Sequence, residues 1–320
     1  MDMVLTWSQK IGFSPGVPIQ LQPTQIGGLK GITNLAAGAQ HVLAIDYKCN
    51  MYSWGYGNEG QLGRLIPVGI SSLRPGPVTG LPVRGAKAQH VACGARTSFA
   101  LDQNGRLYSW GRNNLSQLGV QVVDGERIKG NLPDVVSTPQ LVEDLIGRRV
   151  IDVAGGRYHS LACTENGELF TWGLSADGAV GLSESVLEEQ EGLVLDEVTS
   201  SYIVTYPIQV PGEYNAFTPR KGHNDQSNNF TDVENIVAVA AGKHHSIAVD
   251  EDGIAYTFGR SDEWQTGQGP RNCTGIPETV YSTDMNRAFI QFADGGRAYS
   301  IFAGVQRTSD LVRDDGEDVL

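Results

Sequence analysis

The segment GAQHVLAIDYKCNMYSWGYGNEGQLG (residues 38–63) decides the fold, because its landmarks recur along the chain at constant spacing. Sixteen residues separate its first glycine, Gly38, from Trp54, and eight separate Gly55 from Gly63. Both intervals recur in three further copies, whose first glycines are Gly94, Gly156 and Gly242. We call the first glycine of each copy its reference glycine. Offsets of 56, 62 and 86 residues between these glycines indicate a repeat protein, and FADGGRAYSIFA is a weaker fifth copy.

Each copy contains strand and turn signals. The segments HVLAI, SFALD, HSLAC and HSIAV are apolar or alternate, as half-buried strands do. A two-residue turn that favours left-handed backbone follows in three copies, at Asn104-Gly105, Asn166-Gly167 and Asp252-Gly253. The first copy has Cys49 at this position, so we expect a strained turn there.

A proline-containing stretch is the third element of the repeat, and proline belongs on edge strands because it lacks an N–H donor. The stretches are Pro18 to Leu21, Pro77 to Val78, Pro139 to Val142, Pro207 to Val210 and Pro277 to Val280. Strands joined by hairpins and closed by an edge strand, at a period near 50 to 60 residues, predict an all-β fold. We expect a β-propeller of four-stranded blades.

Composition excludes several classes of function. The chain of 320 residues carries 24 basic and 36 acidic residues, a formal charge of −12, which disfavours nucleic acid or an anionic membrane as partner of the whole domain. No stretch is apolar over the length of a membrane helix, and the N-terminus lacks the core of a signal peptide. The four cysteines lie far apart and predict reduced thiols. We therefore expect no membrane contact and no secretion.

The chain is predicted to contain one propeller domain over residues 1–305. The longest interval between reference glycines contains a polar and acidic stretch at 183–230, which we interpret as a surface insertion, mobile and incidental to function. The last segment, 306–320, is expected to be an acidic flexible tail.

No catalytic motif occurs in the sequence: there is no G-x-S-x-G, H-E-x-x-H, P-loop or dinucleotide-binding pattern. His41, His159 and His245 share one repeat position, which favours a structural role over a metal site. The repeated tryptophans favour core over a ligand cage, whereas Trp264 lies in a loop where a partner could reach it. We expect no enzyme, no cofactor, no metal and no small-molecule substrate.

The two positions after each reference glycine vary while the strand that follows does not. By repeat geometry these turns converge at one end of the channel, where Arg96, Arg157, Lys243 and Arg297 would form a basic ring. Solvated turns without a partner are the alternative. The predicted binding face consists of Gln40, Arg64, Arg96, Arg157, Tyr158, Lys243, His244 and Arg297.

The combination of G-x-x-H-S-x-A, Y-S-W-G and Q-L-G over about residues 30 to 305 resembles the regulator of chromosome condensation family. The segment from Ser53 to Arg64 is similar to a blade of its founding member, the nuclear exchange factor for the GTPase Ran, and the long loops resemble fungal versions. The resemblance implies seven blades, whereas about five blades' worth is present. Either about two N-terminal blades are missing, or Leu5 to Trp7 pairs with Tyr299 to Ala303 and closes a smaller ring.

The resemblance implies a guanine-nucleotide exchange factor for a Ran-like small GTPase, which is nuclear, associated with chromatin or histones, and acts by displacing nucleotide. Family members press a β-wedge on the GTPase. The matching residues are Gln9, Lys10, Ile11, Gly12 and Phe13, in a segment that is shorter than in the family. Arg64 matches the family, whereas Gln40 replaces an acidic residue.

A non-catalytic propeller interaction module, such as a scaffold or ubiquitin-ligase subunit, is the alternative, and it could be cytoplasmic. The shortened wedge favours it. A propeller hydrolase or lyase would need converging carboxylates or histidines in the channel, which the repeat positions do not offer.

Overall fold

The structure is a computed structural model, and antiparallel β-strands make up most of it. It describes residues 25–64, 72–120, 134–211, 213–214, 231–232, 235–262, 265–266, 273–279, 290–293 and 297–301. In this part of the chain no helix has the length and apolar character needed to cross a membrane.

Four antiparallel sheets correspond to the four strong repeats. The first contains β1 (Ile32–Ala37), β2 (His41–Asp46), β3 (Met51–Gly55) and β4 (Ser72–Pro77). The second contains β5 (Ala88–Cys93), β6 (Thr97–Asp102), β7 (Leu107–Arg112) and β8 (Val135–Leu141). The third contains β9 (Val150–Gly155), β10 (His159–Thr164), β11 (Leu169–Leu174), β12 (Val194–Asp196) and β13 (Ser201–Gln209). The fourth contains β16 (Ile236–Ala241), β17 (His245–Asp250), β18 (Ala255–Arg260) and β19 (Cys273–Thr279).

Short elements connect or extend these sheets. They are the 3₁₀ turns Glu143–Leu145 and Ala176–Gly178, the helix α1 (Glu184–Glu189), the hairpin of β14 (Glu213–Tyr214) and β15 (Thr231–Asp232), and the hairpin of β20 (Ile290–Ala293) and β21 (Arg297–Ile301).

The sheets are the blades of a propeller, as predicted. Strand order follows chain order in the first, second and fourth blades, with β1, β5, β9 and β16 at one end of each sheet. Backbone hydrogen bonds connect successive blades beside these strands: Ala39 N–H donates to the Ala95 carbonyl at 3.3 Å, and Ala95 N–H to the Gly156 carbonyl at 3.0 Å. The innermost strands therefore neighbour one another, as they must around a central channel.

Proline occupies the outer strands, as the sequence predicted. Pro77, Pro139 and Pro277 lie in the last strands of their blades. In the third blade β12 lies outside β13, but it pairs only with Ser201 to Ile203 and leaves Pro207 beyond the paired stretch. A missing proline N–H thus removes no ladder hydrogen bond.

Packing between blades explains the constant spacings. The indole N–H of Trp110 donates to the Gln61 carbonyl of the preceding blade at 3.1 Å, and Trp172 does the same to Gln117 at 3.0 Å. Trp110 and Trp172 are fully buried, which confirms that these tryptophans belong to the core. The loop that ends in Gln-Leu-Gly packs against the tryptophan of the next blade, at Gly63 and Gly119. Because this contact fixes where the loop and the tryptophan lie in each blade, the sixteen-residue and eight-residue intervals stay constant.

The acidic stretch that begins at residue 183 is partly packed and partly exposed. Helix α1 buries Leu187, and β13 of the third blade buries Val204 and Ile208. Most residues from 184 to 203 lie exposed at the surface, whereas the strand from Val204 onward is packed in the blade. Residues 215–230 lie outside the described residues.

The fifth copy contributes two strands. β20 and β21 pair with each other, and β21 lies against β16 and β17 of the fourth blade. The described elements thus comprise four blades and the start of a fifth. The other half of the predicted closure, Leu5 to Trp7, lies outside the described residues, as do Trp264 and the tail at 306–320.

Candidate functional site

The turns between the first and second strands of the blades form one face of the propeller. The end of the third strand holds each turn, because a backbone N–H there donates to the carbonyl of the second turn residue. The pairs are Tyr56 to Gln40 at 2.8 Å, Arg112 to Arg96 at 3.1 Å, Leu174 to Tyr158 at 2.9 Å and Arg260 to His244 at 2.9 Å. The predicted face therefore stands on backbone that is fixed in the same way in all four blades.

Four of the predicted residues meet where the third and fourth blades adjoin. The Arg157 guanidinium lies 4.9 Å from the centre of the Tyr158 ring, and that ring meets the His244 imidazole edge to face with centroids 6.3 Å apart. Arg157 N–H donates to the Lys243 carbonyl at 3.2 Å. We call Arg157, Tyr158, Lys243 and His244 the face cluster.

A cleft of about 280 Å³ opens beside the face cluster. Tyr158, Lys243 and His244 line it, together with Asp177 from the loop after β11 and Thr199 from the turn before β13. The cleft thus combines an aromatic ring, a cation and a carboxylate, which suits hydrogen bonding to polar side chains of a protein partner.

Asp177 is the acidic member of this cleft. Its carboxylate lies 3.2 Å from Nδ1 of His244. The hydrogen bond with His244 lowers the pKa of Asp177, against an opposing effect of burial. Asp177 also has a left-handed backbone, with φ of 61°, which is where the chain turns sharply after β11. No repeat pattern points to Asp177, because its importance depends on a histidine 67 positions later in the chain.

Arg96 stands apart from the face cluster in an ion pair. Its guanidinium lies 3.2 Å from the Glu59 carboxylate, which also accepts from Arg112 at 2.7 Å. Glu59 belongs to the loop of the preceding blade. One carboxylate therefore offsets part of the positive charge here, and the basic ring expected from the sequence is less positive at the second blade.

Arg64 points into its own blade. Its guanidinium donates to the Ser53 carbonyl of β3 at 3.0 Å and to the Ser72 hydroxyl of β4 at 2.5 Å, and partial burial lowers its pKa. The structure thus gives Arg64 an intrablade role in joining two strands and does not bring it into the face cluster.

Gln40, Arg297 and the wedge residues complete the predicted set. Gln40 lies in the first turn and is half-buried. Arg297 begins β21, where its backbone pairs with Ala293. The wedge residues Gln9, Lys10, Ile11, Gly12 and Phe13 lie outside the described residues.

A chain of polar contacts that was not predicted from the sequence lies on the innermost strands, at the repeat position four residues before each reference glycine. Asn34 accepts from Val91 N–H at 3.0 Å and contacts Nδ1 of His90 at 3.1 Å. Nε2 of His90 lies 3.8 Å from Asp152, which accepts from Val239 N–H at 3.0 Å. This polar chain links all four blades.

Two of the repeated histidines, His41 and His159, are buried and connect neighbouring blades. Nε2 of His41 is 2.8 Å from the Ser98 hydroxyl of the next blade, and His159 contacts Ser246 at 2.9 Å. Burial lowers the pKa of His41 and His245 to about 4, and that of His159 to about 3. They are neutral at physiological pH, and no group of three metal-ligating side chains occurs among the described residues.

Comparison with known proteins identifies the family. The RCC1-like domain family matches residues 3–306. Protein pim1 of Schizosaccharomyces pombe is 30% identical over 94% of this chain and 50% of that protein. The guanine nucleotide exchange factor SRM1 of Saccharomyces cerevisiae is 30% identical over 86% of this chain and 51% of that protein. The ultraviolet-B receptor UVR8 of Arabidopsis thaliana is 28% identical over 84% of this chain and 50% of that protein.

A solved structure agrees with the described blades. Prp20p of Saccharomyces cerevisiae, whose structure was described with its binding properties to Gsp1p and histones, superposes with a TM-score of 0.67 at 26% identity. The match covers 91% of this chain and 58% of Prp20p. The chain spans about half the length of the curated relatives it matches. With its repeat spacing, its blades and this match over nearly the whole chain, the chain belongs to the RCC1-like domain family of β-propellers.

Proposed function

We propose that the chain acts in guanine-nucleotide exchange on a Ran-like small GTPase, through protein binding and without covalent chemistry. The observation that carries the proposal is the face cluster, where Tyr158, Lys243 and His244 line one cleft and Arg157 stacks on the Tyr158 ring beside it. Relatives that include a named exchange factor support the same activity.

The face is suited to binding a protein by shape and charge. Arg157 has no carboxylate partner among the described residues and stacks on Tyr158, so its charge is available to an acidic partner. Arginine and tyrosine are the residue types that most often carry binding energy in interfaces. Because the turns are fixed by backbone hydrogen bonds, little ordering entropy is lost on binding.

Exchange would follow from differential affinity. A factor that binds the nucleotide-free GTPase more tightly than the loaded form shifts the equilibrium toward nucleotide release. This mechanism needs no general acid, metal or cofactor in the factor. Histones or chromatin are proposed as further partners, and the nucleus as the compartment, on the basis of the family.

A nucleotide-release assay tests the proposal. Fluorescent GDP is loaded on Ran, and release is followed with the intact chain, with Arg157→Ala/Lys243→Ala, and with Arg149→Ala. Arg149 is an exposed arginine at the opposite end of β9 and provides a matched control. We expect the intact chain and the control to accelerate release, and the face variant to lose about tenfold or more of that acceleration.

Two results would contradict the proposal. The first is no acceleration by the intact, folded chain at any concentration that binds Ran. The second is equal loss of activity in the face variant and the Arg149→Ala control, because the face cluster would then have no special part in exchange.

A non-catalytic interaction module, as a scaffold or ubiquitin-ligase subunit, is the second candidate and could act in the cytoplasm. The pairing of Arg96 with Glu59 favours it, because the face is less basic than a full ring of cations would be. The relative named as an ultraviolet-B receptor shows that the family is not confined to proteins named as exchange factors. Binding of Ran without any change in GDP release would support this candidate over the first.

A further inference from the structure

The third blade carries a fifth strand, which the other three blades do not show in the part of the chain that the structure describes. β12 pairs with the first residues of β13 through Val194↔Ile203, Leu195↔Tyr202 and Asp196↔Ser201. No further strand of the described chain pairs with the outer edge of β12. We call residues 194–203 the outer hairpin. An open edge of this kind offers backbone N–H and C=O groups to another strand.

The outer hairpin is held in place by its own hydrogen bonds. The Asp196 carboxylate accepts from the Thr199 N–H at 2.9 Å and from the Thr199 hydroxyl at 2.6 Å, which fixes the turn. At the base, Ser175 and Tyr202 exchange hydrogen bonds of 2.8 and 2.9 Å. The edge is therefore preorganised, and binding to it costs little ordering entropy.

Apolar side chains on the outer hairpin face solvent. Val198 at the turn is 92% exposed, Leu195 is 57% exposed and Val194 is 40% exposed. Their neighbours on the same segment, Leu187 and Val204, are buried. A fixed edge with three exposed apolar residues is the kind of surface that proteins normally protect or use for binding.

The segment that contains the outer hairpin carries charge of one sign. Residues 183–200 contain six acidic residues and no basic residue. They are Glu184, Glu188, Glu189, Glu191, Asp196 and Glu197. None of the five glutamates forms an ion pair within the described ranges, so their charge acts on the surroundings. A second copy of this hairpin would meet like charge, which disfavours pairing of two chains here.

We propose that the outer hairpin binds an extended, lysine- or arginine-rich segment of a protein partner, which adds to β12 as a further strand. Backbone hydrogen bonds to the β12 edge would supply affinity, apolar side chains of the segment would cover Leu195 and Val198, and its cations would face the surrounding glutamates. This inference does not rest on the proposed nucleotide exchange, because the added strand would pair with β12, and β12 contributes no residue to the cleft beside the face cluster, although Thr199 and Ser201 of the hairpin line that cleft.

A defined peptide tests the proposal with the full chain. The probe is a fluorescent peptide of about eight residues that alternates lysine and valine, a length typical of a strand, and its binding is measured by anisotropy. We expect binding that weakens between about 10 mM and about 150 mM salt. Leu195→Ser/Val198→Ser and Glu188→Gln/Glu197→Gln should each weaken it by about tenfold.

Matched variants elsewhere provide the control. Ile146→Ser/Ile254→Ser removes two exposed apolar side chains, and Glu143→Gln/Glu251→Gln removes two exposed charges, both away from the outer hairpin. We expect both controls to bind as the parent does, and thermal unfolding to confirm that every variant is folded. A peptide with alternate backbone nitrogens methylated should bind at least about tenfold more weakly, since it cannot form the ladder.

Four outcomes would overturn the proposal: equal weakening in hairpin and control variants, undiminished binding of the methylated peptide, equal binding of a peptide with glutamate in place of lysine, or no binding at low salt. Sedimentation that shows a dimer abolished by Leu195→Ser/Val198→Ser would also overturn it, because the occupant of the edge would then be a second copy.

Discussion

Cys49 adopts a backbone conformation that glycine holds in the other three blades. Its φ is 65°, close to the 72° of Gly105 and the 79° of Gly167 and Gly253. The strain predicted for this turn is therefore confirmed, because a side chain in the left-handed region costs about 1 kcal/mol or more. The Asp46 carboxylate offsets part of this cost by accepting from the N–H groups of Lys48 and Asn50, at 2.9 Å each.

Replacing Cys49 with glycine should stabilise the protein. We expect Cys49→Gly to raise the free energy of unfolding by about 0.5 to 1 kcal/mol, because relief of the left-handed strain exceeds the added chain entropy of glycine. Urea unfolding measures the change. Cys49→Ser is the control, since it removes the thiol and keeps the strained backbone. A gain in the serine variant, or no gain in the glycine variant, would contradict the explanation.

The buried histidines make stability depend on pH. The unfolded chain takes up protons at His41, His159 and His245 below its ordinary pKa of about 6.5, whereas the folded chain does not until about pH 4 or 3. The free energy of unfolding that the neutral imidazoles contribute is therefore complete above pH 6.5 and is lost as the pH falls toward 4.

His41→Thr isolates one of these sites, because Thr97 occupies the same position in the second blade. We expect the variant to lose about 1 to 2 kcal/mol at about pH 7.5, since the hydrogen bond to Ser98 disappears. The difference from the parent should shrink by about 1 kcal/mol at about pH 5.5, because only the parent loses the contribution of that imidazole. Chemical unfolding at both pH values measures this, and a constant difference would contradict the protonation argument.

At the scale of the elements, the glycine of each Q-L-G loop is fitted to the next blade. A Cβ atom on Gly119 would lie 2.9 Å from Nε1 of Trp172, and one on Gly63 would lie 2.7 Å from Nε1 of Trp110. Both glycines have positive φ. Two independent constraints, backbone conformation and contact between blades, thus act at the same position.

Alanine substitutions can separate these two constraints. Gly119→Ala should cost about 3 kcal/mol, because it combines left-handed strain with overpacking against Trp172. Gly147→Ala should cost only about 1 kcal/mol, because Gly147 has φ of 88° but no atom within 4 Å of the added Cβ. Thermal or urea unfolding compares them. Equal costs would show that the contact between blades adds nothing.

Elements that recur in every blade could be predicted from the sequence, whereas elements that occur once could not. The spacing of glycine and tryptophan predicted the blades, because both landmarks serve contacts that every blade repeats. β12 and helix α1 were missed, because they occur once and the acidic residues around them obscured the apolar pattern. Arg96 was predicted to belong to a basic ring without a carboxylate partner, because nothing in its own repeat indicates that Glu59 of the preceding blade forms an ion pair with it.

On the scale of the whole molecule, Asp152 joins the third blade to its neighbours. Its carboxylate accepts from Val153 N–H at 2.9 Å and from Val239 N–H of the fourth blade at 3.0 Å, and it faces His90 of the second blade. Burial raises the pKa of Asp152, against the opposing effects of these groups. Such a polar chain is invisible to repeat analysis, because its members, Asn34, His90 and Asp152, differ in chemistry at one repeat position.

Removal of this carboxylate should weaken the join between blades. We expect Asp152→Ala to lower the free energy of unfolding by about 1 to 3 kcal/mol, because two buried N–H groups lose their acceptor. Asp152→Asn, which retains one acceptor oxygen, should lose less. Hydrogen exchange at the Val239 amide should accelerate in the alanine variant. Glu251→Ala on the surface is the control, and an equal loss there would contradict the assignment.

The carbonyl of Gln61 accepts from Ser98 as well as Trp110, and that of Gln117 from Ser160 as well as Trp172. Each blade therefore offers an acceptor on one flank and matching donors on the other. The first two junctions use the same chemistry in the same direction, and the third keeps the serine bond, from Ser246 to the Ala179 carbonyl, with Phe258 in place of the tryptophan. An in-frame duplication of the second repeat would therefore create a blade that both neighbours already recognise. Blade number could thus change during evolution by gene duplication, without redesign of the surfaces that join one blade to the next.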